Sequence, residues 1–133
     1  MKKTSPLEAL LEPIAAVRKL MVKSGYRWLI IGGVAASLLG KPRFTADVDI
    51  VTRIDDENIA GFLKLAGRLG LNPRVRDAAG FARENRVLLL RQKKTGINID
   101  ISLALWPFEE EALKRCRSHK IGNIIFYLAT PED

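Results

Sequence analysis

The stretch Asp47-Val-Asp-Ile-Val-Thr52 decides how this chain is read. Its β-branched and apolar residues predict a strand, and strand side chains alternate between faces, so Asp47 and Asp49 share one face while Val48 and Ile50 take the other. Aspartate is depleted in strands because it neither packs well nor branches at Cβ. A second run of the same kind, Asn98-Ile-Asp-Ile-Ser102, places Asp100 between Ile99 and Ile101. Three aspartates inside strands are a candidate metal site, and divalent-metal catalysis is the chemistry that would require them.

Composition limits the alternatives. The chain has 133 residues and 47% hydrophobic content, enough for one core, and is read as one domain. No run approaches the roughly 18 to 20 apolar residues that span a bilayer, and Met1-Lys-Lys-Thr-Ser-Pro-Leu-Glu8 holds no apolar signal core. A cytoplasmic location with no membrane partner is therefore expected. A lone cysteine, Cys116, excludes an internal disulfide, and with His119 as the sole histidine a zinc site of Cys and His is excluded too. Any metal must be held by oxygen. The net charge of +7, with 22 Lys and Arg against 15 Asp and Glu, favours anionic partners without identifying nucleic acid.

Working outward, Ser5-Pro6-Leu7-Glu8 reads as a capped helix start, and Leu7, Leu10, Leu11, Ile14, Val17, Leu20 and Met21 continue at helical spacing past Pro13 to a stop at Gly25. Arg27 to Ile31 predicts a buried strand, Gly32-Gly33 a turn, and Val34 to Leu39 a short helix. After the Asp47 strand, Asp55 or Asp56 caps a helix running to about Leu69, with Gly70 as its stop. Strands are expected at Arg74 to Arg76, weakly, and at Arg86 to Leu90. The turn Lys93-Lys-Thr-Gly96 then returns Ile97 to Leu103 antiparallel. Phe108 to Cys116 reads as a short helix and Ile121 to Ala129 as a last strand. Thr130-Pro131-Glu132-Asp133 has the form of a helix start, so the domain, residues 1–133, is expected to be truncated before a C-terminal helical segment.

Gly32-Gly33, Asp47-Val48-Asp49 and the later Asp100 together resemble the nucleotidyltransferase superfamily that includes polymerase beta. The tighter pattern Arg43-x-Thr45-x-Asp47-x-Asp49 is similar to the minimal bacterial and archaeal nucleotidyltransferases, including those related to abortive-infection toxins. The likeness covers about Arg27 to Asp133. A tight strand-to-helix turn would also use two glycines, and a solvated edge strand would also carry alternate acids. The third acid on a later strand is what those simpler readings do not explain.

The resemblance implies an α/β (α+β) fold, a mixed β-sheet with helices packed mainly on one face and the site at the strand ends after Gly33. It implies magnesium-dependent transfer of a nucleoside monophosphate from a nucleoside triphosphate to a hydroxyl acceptor, with manganese as the substitute ion. Asp47 and Asp49 would hold the metals carrying the triphosphate, and Asp100 would bind the catalytic metal and help activate the hydroxyl. Gly32 and Gly33 would admit the phosphates close to the backbone, and Arg43 and Thr45 would reach a phosphate oxygen. Many relatives have a serine where this chain has Gly33, so backbone amides or Ser37 must compensate. The acceptor is open among RNA, a protein side chain and a small molecule, and the toxin-type relatives imply an antitoxin partner. The alternative is a non-catalytic nucleotide- or RNA-binding module on the same fold. Arg74, Arg76, Arg83 and Arg86 read as a solvated or acceptor-facing basic face without individual roles, and Trp28 and Trp106 as packing.

Overall fold

The computed structural model describes residues 6–31, 47–103, 117–121 and 124–128. In chain order these form helix α1 (Pro6–Ser24), strands β1 (Trp28–Ile31) and β2 (Asp47–Thr52), a 3-10 turn (Asp56–Asn58), helix α2 (Ile59–Arg68), strand β3 (Leu71–Pro73), helix α3 (Ala78–Asn85), and strands β4 (Val87–Gln92), β5 (Asn98–Leu103), β6 (Arg117–Ile121) and β7 (Ile124–Leu128). The strands make one seven-stranded sheet in the order β3-β4-β5-β2-β1-β7-β6. Pairs β2/β5 and β1/β7 are parallel and the rest antiparallel, so the sheet is mixed.

Alternation along the central strands sorts the sheet into two faces. Val48 and Ile50 of β2, Leu88 and Leu90 of β4, Ile99, Ile101 and Leu103 of β5 and Ile30 of β1 are buried in one cluster. The same cluster takes Leu10, Ile14, Val17, Leu20 and Met21 from α1, Ile59, Phe62 and Ala66 from α2, and Ala82 from α3. The described helices thus cover one face, as the alternating acids required. Each fully buried Ile or Leu side chain there contributes about 1.5 to 3 kcal/mol by leaving water. Pro13 lies within α1 without ending it, since its ring is tolerated on the buried side of a helix held by such packing. Tyr26 and Phe62 meet edge-on at 6.0 Å between ring centroids, joining the α1–β1 connection to α2.

The turns follow local chemistry. Gly70 adopts φ +81° just after α2, and Gly96 adopts φ +74° in the β4–β5 hairpin, both in the left-handed region that glycine enters without a Cβ penalty. Among the described residues two non-glycine residues share that region, Asp77 and Arg86, one at each end of α3. Asp77 caps α3 by accepting a hydrogen bond from the Gly80 amide at 3.2 Å.

Three sequence expectations shift. The weak strand expected at Arg74 to Arg76 is instead Leu71–Pro73, because Leu71 supplies the buried side chain and the chain bends at Arg74. Helix α3 was not expected: its only buried residues are Ala78 and Ala82, too small a signal against Gly80, Arg83, Glu84 and Asn85. The final strand is Ile124–Leu128 rather than Ile121 to Ala129, and Arg117–Ile121 forms a further strand paired to it despite its polar sequence. The turn at Gly32-Gly33, the helices expected at Val34 to Leu39 and Phe108 to Cys116, and Thr130 to Asp133 lie outside the described residues. Among the described residues no helix is long and apolar enough to cross a membrane.

Candidate active site

The sheet face opposite the helices carries the aspartates. Strands β2 and β5 run parallel in a register that sets Asp47 beside Asn98 and Asp49 beside Asp100. Neighbouring strands stand about 4.8 Å apart, so the Asp49 and Asp100 side chains rise together from one face of adjacent strands. Asp47 is one step along that face from Asp49, and Ser102 one step from Asp100. On the far side of β5, Leu89 and Arg91 of β4 continue the same face opposite Asp100 and Asn98.

Electrostatics mark the centre of this group. The Asp49 carboxyl is pushed above the usual carboxylate range, first by burial, then by the negative charge of Asp100, then by that of Asp47. A position where carboxylates repel one another and are partly withdrawn from water is one a cation would relieve. Asp100 has a cation already: the Arg74 guanidinium donates a hydrogen bond to its Oδ1 and closes an ion pair with it. Arg74 is held in place by its own backbone, whose amide donates to the Leu89 carbonyl at 2.9 Å just beyond β3. Among the described residues, no three carboxylate, imidazole or thiol groups are gathered as a metal cluster. The Arg74 contact supplies a physical reason, because it engages one of the three carboxylates.

The other arginines of the sequence's basic run have different duties. Arg86 pairs with Asp56 at 2.7 Å through Nη1, and Arg83 Nη2 donates to the Asp56 carbonyl at 3.5 Å, tying α3 and the start of β4 to the 3-10 turn. The Arg86 Nε is buried and has no partner among the described residues. Arg76 lies exposed in the bend before α3. Sequence reasoning missed Arg74 as a partner of Asp100. The only signal was an arginine in a weak strand pattern, and the β3–β4–β5 order that brings it near Asp100 was not legible.

Of the residues expected at the site, Asp47, Asp49 and Asp100 stand on one face of adjoining strands. Gly32, Gly33, Ser37, Arg43 and Thr45 lie outside the described residues. The three carboxylates supply oxygen donors of the type magnesium prefers, but they are not gathered as a cluster, so a cation between β2 and β5 would have to draw them together.

A mixed sheet with helices on one face and in-register aspartates on its central parallel pair is the nucleotidyltransferase-like fold. Solved structures of that class share it. A Thermotoga maritima protein, TM1012, assigned to the nucleotidyltransferases, matches with TM-score 0.58 at 16% identity over 92% of this chain and 80% of that chain. An antigenic nucleotidyltransferase-like protein from Paracoccidioides brasiliensis matches with TM-score 0.61 at 17% identity over 92% of this chain and 61% of its own. A CCA-adding enzyme in complex with CTP matches with TM-score 0.50 at 23% identity, over 93% of this chain but 27% of the enzyme. This chain therefore spans less than two thirds of the length of the latter two. No protein-family model matches the sequence, nor does any curated protein sequence.

Proposed function

We propose that this chain is a magnesium-dependent nucleotidyltransferase that moves a nucleoside monophosphate from a nucleoside triphosphate to a hydroxyl acceptor. The observation that carries the reading is the parallel register that sets Asp49 beside Asp100, with Asp47 on the same face. The fold shared with nucleotidyltransferases, one of them solved with CTP, supports it.

In this reading Asp47 and Asp49 would hold the ions that carry the triphosphate, and Asp100 would hold the catalytic ion on the acceptor side. Two magnesium ions, when bound, would polarise the phosphoryl group and stabilise both the attacking and leaving oxygens of an in-line displacement. The chain's residues orient and move the proton. The acceptor oxygen bonds to the α-phosphorus, the bond from that phosphorus to the bridging oxygen breaks, and pyrophosphate leaves with the electron pair. The acceptor proton passes to an Asp100 carboxylate oxygen and from there to water. For that, Arg74 must leave Asp100, whose carboxylate it otherwise neutralises. Gly32, Gly33, Ser37, Arg43 and Thr45 take the phosphate-binding roles that their motif implies. A toxin-like cellular role with an antitoxin partner belongs to the same proposal and is supported by the Arg43-x-Thr45-x-Asp47-x-Asp49 pattern alone.

One observation favours the second reading, a non-catalytic nucleotide-binding module: an arginine already neutralises Asp100. The test separates the two. Incubating the chain with each α-labelled nucleoside triphosphate, magnesium and RNA, protein or small-molecule acceptor pools should transfer label and release pyrophosphate. Asp100→Asn should abolish transfer while retaining nucleotide binding. Transfer at an unchanged rate in Asp100→Asn would overturn the role of Asp100, and nucleotide binding with no transfer to any pool would favour the binding module.

A further inference from the structure

A groove of about 580 Å³ lies beside Asp100, lined by Asn72, Pro73, Arg74, Arg91 and Lys93. That volume falls within the roughly 300 to 1,000 Å³ of ligand-sized clefts. Its lining holds three cations and no acid. Through β3, whose Asn72 pairs with Arg91, and β4, whose Leu89 pairs with Asp100, the groove runs along the sheet edge onto the face that carries the aspartates.

We infer that this groove binds successive backbone phosphates of a single-stranded nucleic acid, the acceptor whose terminal hydroxyl is presented at Asp100. The inference rests on the nucleotidyltransferase reading for its chemistry and on the groove for its ligand. Arg91 is ready for an anion: its Nε donates to the Gly96 carbonyl at 3.2 Å, which fixes the guanidinium while its other N–H groups remain available. Gly96 permits this, because a Cβ there would stand 3.1 Å from Arg91 Nη2. Cations on a strand edge suit a chain of spaced phosphates tracked by a basic groove. Arg74 links groove and site. A phosphate entering the groove competes with Asp100 for the Arg74 guanidinium, so seating the acceptor draws Arg74 away and frees the Asp100 carboxylate.

The test is fluorescence anisotropy of a labelled single-stranded RNA oligonucleotide, and of its DNA counterpart, with the full chain and no magnesium or nucleotide. The variants are Arg91→Ala/Lys93→Ala and, as a charge-matched control, Lys64→Ala/Arg68→Ala at exposed positions of α2 outside the groove. Each single-strand phosphate contact contributes about 0.7 to the salt slope, so losing two should flatten it by about 1.4. The deficit of Arg91→Ala/Lys93→Ala should then be about sevenfold larger at 50 mM than at 200 mM salt. The control should keep the wild-type slope. Equal losses in both double variants, or an unchanged slope in Arg91→Ala/Lys93→Ala, would overturn the inference. Displacement of the oligonucleotide by a non-hydrolysable ATP analogue would assign the groove to the triphosphate and overturn it as well. Calorimetric binding of that analogue with magnesium, unchanged in Arg91→Ala/Lys93→Ala, tests the nucleotidyltransferase reading separately, since its absence would sink that reading and leave the groove result standing.

Discussion

The ion pair between Arg74 and Asp100 can be measured directly through a double-mutant cycle of Arg74→Ala and Asp100→Asn. The two side chains are 26% and 31% exposed, so the pair is less screened than a fully solvated one. Exposed pairs contribute about 0.2 to 1 kcal/mol, and hydrogen bonds to charged groups about 1.5 to 3 kcal/mol. Partial exposure places Arg74→Ala at about 1 to 2 kcal/mol of lost stability, because removing the cation also leaves Asp47, Asp49 and Asp100 to repel one another. In the Asp100→Asn background the same substitution should cost less than about 0.5 kcal/mol, the scale of a surface change. The coupling energy is then about 1 kcal/mol, read from urea denaturation midpoints at constant slope. Magnesium should stabilise Arg74→Ala more than the wild-type chain, since Arg74 no longer competes for Asp100 in the variant. Single substitutions that add within about 0.3 to 0.5 kcal/mol would refute the reasoning, because the two residues would then act independently.

Three further outcomes follow from the same structure. Asp49 has a folded-state pKa raised above its ordinary value, so the folded chain holds its proton more tightly than the unfolded chain. Its contribution to stability is therefore present at acid pH and lost as pH rises through the raised value. Asp49→Asn in metal-free buffer should gain on the wild-type chain as pH goes from 4 to 7, and a pH-independent difference between the two melting curves would contradict this. Ile101→Ala, at a fully buried position in the central β5, should cost about 2 to 5 kcal/mol and Ile101→Val about 0.5 to 1.5, and equal denaturation midpoints for the two would contradict the packing. Gly70→Ala forces an alanine to φ +81° and should destabilise by about 1 kcal/mol although its Cβ meets nothing within 4 Å, whereas a neutral result would remove the backbone argument.

Much of this fold is written in alternation. Val48, Ile50, Ile99 and Ile101 read as one buried face because each is preceded by a polar or acidic residue, and the structure buries all four. The hairpin of β4 and β5 was legible from Lys93-Lys-Thr-Gly96, whose glycine takes the positive φ that the turn needs. Strand order was less legible, because the parallel pairing of β2 with β5 joins segments about fifty residues apart and depends on helices packing between them. Helix α3 escaped notice because Ala78 and Ala82 bury little surface, and its boundaries are set by the left-handed residues Asp77 and Arg86, which propensity does not anticipate. At the site, the aspartates announced themselves by being acids in strands, while Arg74 did not, since only the tertiary register of β3, β4 and β5 brings it to Asp100.

The most direct test is calorimetric titration of the purified chain with a non-hydrolysable ATP analogue, with and without magnesium, repeated on Asp47→Asn/Asp49→Asn. The account predicts binding that requires magnesium and disappears in the double variant. Binding that persists without magnesium, or that survives loss of both carboxylates, would contradict it.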